Sequence, residues 1–403
     1  MKVITGGVCA AKGFTASGIH CGIRKSKTKR DLALIISGCR ASAASVYTTN
    51  LVKGAPIEVT KTNIADGMAQ AIICNSGNAN TCNANGIEIA ESMCDLVERS
   101  TGIKAADVVV ASTGVIGQTL DITPIESGMA ELTANLGDNS ALAAEAIMTT
   151  DTALKEIAVS FTLGGKECRM GGIAKGSGMI HPNMATMLVF ITTDAAISPA
   201  LLQKALSGDV KTSFNMVSID GDTSTNDMVT VLANGMAGNP EVSAEDADFE
   251  TFKKALSAVT VYLCRKIAGD GEGATKLLEC KVSGAKTDDI AKTVAKGVIC
   301  STLLKAAMFG ADANWGRVLC AIGYSGAPVD VNKIDVSFVS EKGEVAVCKN
   351  GAGIDFSEDK AYEILCEKEI QIIVDLNDGG CEATAWGCDL TYDYVKINGE
   401  YRT

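Results

Sequence analysis

Residues 175–194 read KGSGMIHPNMATMLVFITTD, a glycine-rich segment followed by a run of apolar residues. The apolar run, residues 187–191, is typical of a buried strand. Thr186 lies where the two parts meet, so a hydroxyl group stands at the entrance to this strand. Loops that a rigid strand positions often carry catalytic groups, which makes Thr186 a candidate nucleophile. An ordinary threonine at the start of a strand would give the same pattern.

The composition indicates a globular α/β protein with more than one domain. The chain has 403 residues, 47% of them apolar, and 41 are glycine. The formal net charge of −12 argues against nucleic-acid binding, which requires a basic surface. We expect the short basic run 24–30 to be a solvated surface turn. Apolar runs are shorter than the roughly 20 residues of a membrane-spanning helix, and the N-terminus does not resemble a signal peptide.

Cysteine and histidine usage restricts the chemistry. The 15 cysteines show no C-x-x-C spacing, so we expect reduced thiols in a cytoplasmic protein rather than a zinc site. Residues from Asp220 onward resemble a calcium loop only superficially, because Thr225 and Val231 occupy the positions of the required Gly and Glu. We therefore expect no metal and no cofactor. His20 and His181 are the only histidines, which favours a base other than imidazole.

Hydrophobic periodicity predicts strands, hairpins and helices along the whole chain. The predicted strands include residues 32–37, 45–49, 70–74 and 107–111. Hairpins are predicted for 160–170 and for 334–347. The predicted helices are 87–99, 142–149, one that begins at Ser198–Pro199, one through 252–267, and one from about 288 to 309. Because the pattern changes near Lys276, we divide the chain into a core, 1–278, and a C-terminal α/β domain, 279–403.

Several glycine-rich turns could surround a reacting group. The strand 107–111 runs into STGVIG (112–117), where backbone N–H groups and the Thr113 hydroxyl could hold a phosphate or an oxyanion. The turn lacks the G-K-[ST] and G-x-G-x-x-G patterns, so its phosphate signal is weak. NSGNAN (75–80) follows another strand. Glu272 lies among glycines in GDGEG (269–273), either as a solvated turn or as a carboxylate that approaches a ligand closely.

A threonine at a new N-terminus would supply the missing base. If the chain is cut before Thr186, the free α-amine has a pKa of about 7.7–8.0 and can accept the hydroxyl proton near neutral pH. Thr113 and Gly114 would then stabilise the oxyanion that forms during acyl transfer.

KGSGMIHPNMATML (175–188) resembles the self-cleavage motif of the glutamate N-acetyltransferase/ornithine acetyltransferase family of arginine biosynthesis. Similar blocks occur in family order over essentially the whole chain. They are NSGNAN (75–80), ASTGVIG (111–117), SFN..SIDGDTSTND (213–227), GDGEGATK (269–276), FGADANWGR (309–317) and DYVKINGEYRT (393–403).

The resemblance implies a layered core like that of N-terminal-nucleophile enzymes, of the aminopeptidase/ornithine acetyltransferase type. It implies self-cleavage between Ala185 and Thr186 into an α chain, 1–185, and a β chain that starts at 186, with a heterotetramer of two α and two β chains. Thr186 would carry acetyl from N2-acetylornithine to glutamate by a ping-pong route, and Thr113 and Gly114 would form the oxyanion hole. The implied substrate-binding residues are Thr149, Thr150, Lys175, Thr186, Glu272, Asn398 and Thr403.

Several alternatives remain open from the sequence. The resemblance does not decide which of Thr149 and Thr150 contacts substrate, or whether acetyl-CoA also donates acetyl. His181 could assist cleavage, although we favour a structural role. A self-processing N-terminal-nucleophile amidase or aminopeptidase would differ in resolving the acyl-enzyme with water. A non-catalytic protein that binds small molecules in its glycine-rich turns is a further alternative.

Overall fold

The computed structural model describes residues 1–181 and 187–400. The strands in these ranges are β1 (Lys2–Ile4), β2 (Phe14–Ile19), β3 (Leu32–Tyr47), β4 (Met68–Asn75), β5 (Val108–Ser112), β6 (Lys155–Leu163), β7 (Lys166–Lys175), β8 (Leu188–Thr193), β9 (Val217–Ser218), β10 (Met228–Ala233), β11 (Leu277–Ala285), β12 (Asp335–Ser340), β13 (Gly343–Lys349), β14 (Ala352–Gly353), β15 (Glu369–Asp375) and β16 (Cys381–Cys388). The α-helices are α1 (Ala55–Asn63), α2 (Gly86–Thr101), α3 (Thr123–Ala134), α4 (Ser140–Ile147), α5 (Pro199–Asp209), α6 (Ala247–Gly269), α7 (Asp288–Cys300), α8 (Thr302–Phe309), α9 (Trp315–Tyr324), α10 (Glu358–Leu365) and α11 (Tyr392–Glu400).

The described residues form two compact units, each built from three separate stretches of the chain. The first contains 1–176, 187–211 and 223–263, and the second contains 177–181, 212–222 and 264–400. These units differ from the division predicted at 278/279, which would cut β11. Strand pairing explains the difference, because β11 pairs with β15 and β16, and β16 pairs in turn with the short strand β9.

A mixed nine-stranded sheet forms the centre of the first unit. Its order is β1-β6-β7-β8-β10-β3-β4-β5, and β2 pairs with β3. Alternate residues of β4 enter two separate core clusters: Ile72 packs in one with the small residues of α4, and Ile73 packs in the other with α2. Helices therefore cover both faces of the sheet, and β8 and β10 are buried along their whole length.

The first unit corrects one strand prediction. The predicted strand 32–37 and residues 45–47 of the predicted strand 45–49 belong to one long strand, β3. The exposed residues Gly38, Cys39 and Arg40 interrupt its apolar pattern, and the pairing of β3 with β4 shifts register between Ile36 and Ala41. An irregularity within a strand thus looked like a loop between two strands.

A seven-stranded sheet in the order β14-β13-β12-β15-β11-β16-β9 forms the second unit, and α7 packs on β11 and β16. The single helix predicted for 288–309 is two helices. The Ser301 hydroxyl accepts a hydrogen bond from the Leu304 N–H at 3.3 Å, so Ser301 is the N-cap of α8.

Other predictions are confirmed. The α/β class agrees with the two sheets and their helices. The hairpins β6–β7 and β12–β13 form, the latter with Phe338 opposite Val345. Ser198 caps α5, and its hydroxyl accepts a hydrogen bond from Leu201. Among the helices of residues 1–181 and 187–400, none combines the length and apolar character needed to cross a membrane.

Candidate functional site

The turn after β5 carries Thr113 and Gly114, and Asn75 holds it in place. The Thr113 N–H donates to the Asn75 carbonyl at 2.9 Å. The Asn75 side-chain amide donates to the Ser112 hydroxyl at 2.6 Å, and its amide oxygen accepts the N–H of Asn78 at 3.1 Å. Asn75 is completely buried. One side chain therefore connects the two glycine-rich turns that follow β4 and β5.

Gly114 is a point of close approach between these turns. Its φ of +127° is rarely adopted by residues with a side chain. A Cβ atom at this position would lie 2.7 Å from the carbonyl carbon of Gly77 and 2.8 Å from the nitrogen of Asn78. The turn can adopt this position only with glycine, and the hydrogen bond from the Thr113 N–H to Asn75 holds the backbone there.

Asn226 connects the same turns to the loop before β10. Its side-chain amide donates to the carbonyls of Ala79 at 2.6 Å and Ser112 at 2.9 Å. Its amide oxygen accepts the Thr81 hydroxyl at 2.6 Å. The sequence placed Asn226 within a block of family resemblance but did not indicate this role. An asparagine beside a buried strand is the signal that could have identified it.

Lys175 ends β7 and lies opposite Leu188, the first residue of β8. Its side chain is buried, although lysine is normally exposed. Burial lowers the pKa of the Lys175 amine, while the charge of Asp151 opposes this shift. Asp227 is also buried near this amine. Burial raises the pKa of the Asp227 carboxyl well above its ordinary value, although Lys175 acts in the opposite direction.

Asp151 brings the Thr149–Thr150 segment and the end of β7 together. Its Oδ1 accepts the N–H of Gly176 at 2.7 Å and the ammonium of Lys155 at 2.6 Å. Its Oδ2 accepts the N–H of Thr149 at 3.0 Å. Burial raises the pKa of the Asp151 carboxyl, but the charges of Lys155 and Lys175 outweigh this, so its pKa lies well below the ordinary value.

Arg24 corrects the prediction of a solvated basic turn at 24–30. Its guanidinium is half-buried and donates to the Ser76 carbonyl, with Nε at 2.9 Å, and to the Met148 carbonyl. The Asp31 carboxylate accepts the Arg24 N–H at 3.0 Å and thereby shapes the turn. Arg24 thus links the turn after β4 to the segment that leads into Thr149.

The predicted cleavage bond between Ala185 and Thr186, and the predicted substrate ligand Thr403, lie outside the described residues. Met187, which follows Thr186 in the chain, is buried. Its carbonyl accepts the Met228 N–H at 3.0 Å, which continues the parallel pairing of β8 with β10. The strand after the predicted nucleophile is therefore fixed in the middle of the sheet.

In the second unit, the predicted ligands Glu272 and Asn398 are in contact. The Asn398 side-chain amide donates to the Glu272 carboxylate at 2.8 Å. The Glu272 N–H donates to the Ser177 carbonyl at 3.0 Å, and a Cβ atom on Gly178 would lie 2.4 Å from the Glu272 carboxylate. The Glu272 turn, the segment after β7 and the C-terminal helix α11 therefore meet at one place within this unit.

His181 has contacts that suit a neutral imidazole. Its Nδ1 lies 3.0 Å from the Ser218 hydroxyl and 3.6 Å from the Cys300 thiol. Burial lowers the pKa of His181 to about 4, and the charge of Lys296 acts in the same direction. These contacts, all within the second unit, are consistent with the structural role that we favoured. Within the described ranges, no cluster of three or more His, Cys, Asp or Glu residues could hold a metal ion.

Comparison with known proteins gives one family. A family model described as the ArgJ family matches residues 15–403. The "Arginine biosynthesis bifunctional protein ArgJ" of Caldanaerobacter subterraneus is 51% identical, and that of Symbiobacterium thermophilum is 50% identical, each over 100% of both chains. A crystal structure of the protein of the same name from Bacillus halodurans is 46% identical, with a TM-score of 0.50, and the match covers 53% of this chain and 98% of that one.

Proposed function

This chain belongs to the ArgJ family, and on that premise we propose that it is an acetyltransferase of arginine biosynthesis. It moves the acetyl group of N2-acetylornithine to glutamate, forming ornithine and N-acetylglutamate. The preorganised turn at Thr113 and Gly114 is the observation that carries this proposal. Fixed donors that need not rearrange during the reaction are what an acyl-transfer site requires.

Acetyl transfer proceeds in two steps through Thr186. The Thr186 hydroxyl attacks the acetyl carbonyl and passes its proton to the free α-amine of the same residue. The Thr113 hydroxyl and the Gly114 N–H stabilise the oxyanion of the tetrahedral intermediate. The amide C–N bond then breaks, and the ornithine amine leaves with the proton from the Thr186 ammonium. In the second step the glutamate amine attacks the acetyl ester and gives a proton to the α-amine of Thr186, which passes it to the Thr186 oxygen as the ester C–O bond breaks.

The α-amine of Thr186 is produced by self-cleavage. The Thr186 hydroxyl attacks the carbonyl of Ala185, so that the amide becomes an ester, and water hydrolyses this ester. The products are an α chain that ends at Ala185 and a β chain that begins at Thr186. The same oxyanion turn serves both reactions, because each passes through a tetrahedral intermediate on Thr186.

Substrate recognition uses one cation and one anion. Lys175 pairs with the α-carboxylate of the amino-acid substrate, and Glu272 pairs with an ammonium. Their surroundings support these roles, since Lys175 is a buried cation and Asn398 already donates a hydrogen bond to Glu272. Thr149 or Thr150, together with Asn398 and Thr403, completes the set. We further propose that the enzyme is cytoplasmic, needs no cofactor, and assembles from two α and two β chains.

The name that the curated relatives carry, a bifunctional protein, favours a second reaction. We propose that acetyl-CoA also acetylates glutamate through Thr186. Initial rates of N-acetylglutamate formation, measured separately with acetylornithine and with acetyl-CoA, decide this point. Formation of N-acetylglutamate with acetylornithine but not with acetyl-CoA would show that the enzyme is monofunctional.

Denaturing gels and product analysis test the main proposal. We expect the purified protein to give two bands of similar size, with Thr186 as the N-terminal residue of one. The Thr186→Ala variant should remain a single chain and form no N-acetylglutamate. A variant that is active, or a wild-type chain that never cuts, would refute the mechanism. Release of free acetate without acetylation of glutamate would instead indicate the amidase alternative.

A further inference from the structure

A buried carboxylate lies between two segments that carry proposed substrate-binding residues. Asp151 and Lys155 form an ion pair with an N–O distance of 2.6 Å, and both side chains are fully buried. Neither residue is a substrate ligand in the proposed mechanism. Removing two charges from water is costly, so such a pair contributes little to stability compared with an apolar pair of the same shape. A role in addition to stability is therefore worth testing.

The hydrogen bonds of Asp151 point to that role. The carboxylate accepts the Gly176 N–H at 2.7 Å and the Thr149 N–H at 3.0 Å, one on each oxygen. Gly176 directly follows Lys175, and Thr149 precedes Thr150. A single rigid group therefore fixes the backbone beside Lys175 and the backbone of the Thr149–Thr150 pair at a set separation.

The Thr149 segment depends on such contacts because it lies between α4 and β6, outside regular structure. Residues 148–151 themselves belong to neither a helix nor a strand. At one end of this segment the Arg24 guanidinium donates to the Met148 carbonyl, and at the other end Asp151 bonds to Gly176. The segment is thus held at one end by the Arg24 side chain and at the other by its own Asp151 side chain, which accepts the Gly176 N–H.

We propose that Asp151 is a positioning residue for acetyl transfer, with its carboxylate fixing Thr149–Thr150 relative to Lys175 while Lys155 balances its charge. The inference rests on the proposed function, since it assigns the consequence to substrate binding. The oxyanion turn has other supports, Asn75 and Asn226. A loss of Asp151 should therefore raise KM for acetylornithine and glutamate, with a smaller change in kcat and with self-cleavage intact.

A double variant separates positioning from charge balance. Asp151→Asn alone removes the carboxylate charge that is paired with the buried Lys155 ammonium, so it should destabilise the fold. Asp151→Asn combined with Lys155→Met removes both charges, and its thermal midpoint should recover towards that of the wild type. One amide oxygen cannot replace the two carboxylate oxygens, so we expect KM in the double variant to stay at least tenfold above the wild-type value.

The KM of the double variant decides between a positioning role and charge balance alone. A double variant with recovered stability and wild-type KM would show that the pair only balances charge, and would overturn the proposal. If the asparagine variants do not fold, Asp151→Glu carries the test. It keeps the charge but displaces both oxygens, so its KM should rise at least fivefold, and a KM within twofold of the wild type would overturn the proposal. A wild-type protein that transfers no acetyl would refute the proposed function itself, independently of these variants.

Discussion

Replacing Gly114 by alanine tests the oxyanion turn directly, and Gly117 offers a matched control. Both glycines lie in the same turn with positive φ, +127° and +78°. A Cβ on Gly117 meets nothing within 4 Å, whereas a Cβ on Gly114 would lie 2.7 Å from the backbone of Gly77. Alanine at either position strains the backbone by about 1–3 kcal/mol, so both variants should unfold at lower urea concentration.

The two variants should differ in catalysis. Ordinary contact begins near 3.4 Å, so the Gly114→Ala turn has to move by about 0.7 Å away from Gly77. Displacement of an active-site group by about 1 Å costs on the order of 100-fold in rate, and loss of one oxyanion donor costs on the order of 100- to 1,000-fold. We therefore expect kcat to fall roughly 100-fold in Gly114→Ala and less than about threefold in Gly117→Ala.

The assay measures N-acetylglutamate formation with both substrates saturating, and rates are divided by the amount of cut chain determined on denaturing gels. Self-cleavage of Gly114→Ala should slow as well, because it uses the same oxyanion site. Equal kcat values for the two alanine variants would refute the assignment of this turn.

Two further predictions concern the second unit. Glu272→Gln can keep the contact with Asn398 but loses the charge that pairs with ammonium, so kcat/KM for acetylornithine should fall roughly 10- to 100-fold. Replacement of the exposed Glu382 by Gln is the control. Equal kcat/KM values for the two variants would exclude Glu272 as the partner of the substrate ammonium. In the folded protein the pKa of His181 is about 4, below its ordinary value of 6.5. Between these two pH values the unfolded chain binds a proton that the folded chain does not, so the free energy of unfolding decreases as the pH falls from about 6.5 to about 4. In the uncut Thr186→Ala background, His181→Gln should weaken this pH dependence of the urea midpoint, and an unchanged dependence would contradict the burial of a neutral imidazole.

The local sequence pattern predicted those elements whose structure depends on residues close together in the chain. The hairpin β6–β7 is visible because alternating apolar residues flank Gly164–Gly165, both of which have positive φ. The break at Ser301 was not visible, because a serine within an apolar helical pattern looks the same whether or not it caps a new helix. The long strand β3 was divided for a similar reason, since an exposed irregularity resembles a loop.

The candidate site was predictable mainly through motifs. The sequence identified Thr113–Gly114 as a turn that could hold an oxyanion. The hydrogen bonds of Asn75 and Asn226 that support this turn join residues far apart in the chain, so the local sequence did not predict them. Composition suggested that Arg24 is solvated, whereas it donates to two backbone carbonyls. Burial of Lys155 could not be read from its residue type, because lysine is normally exposed, whereas here it forms an ion pair with the buried Asp151.

The order of strands in the first unit bears on the proposed self-cleavage. β8 and β10 follow the proposed cleavage bond, yet they lie between β7 and β3, which precede it. Six residue pairs join β7 to β8, and six more join β10 to β3. A fragment 1–185 alone would have to close its sheet over a gap two strands wide. If the chain is cut at the proposed bond, it must fold first, and the two products should stay together because the nine-stranded sheet takes strands from both of them.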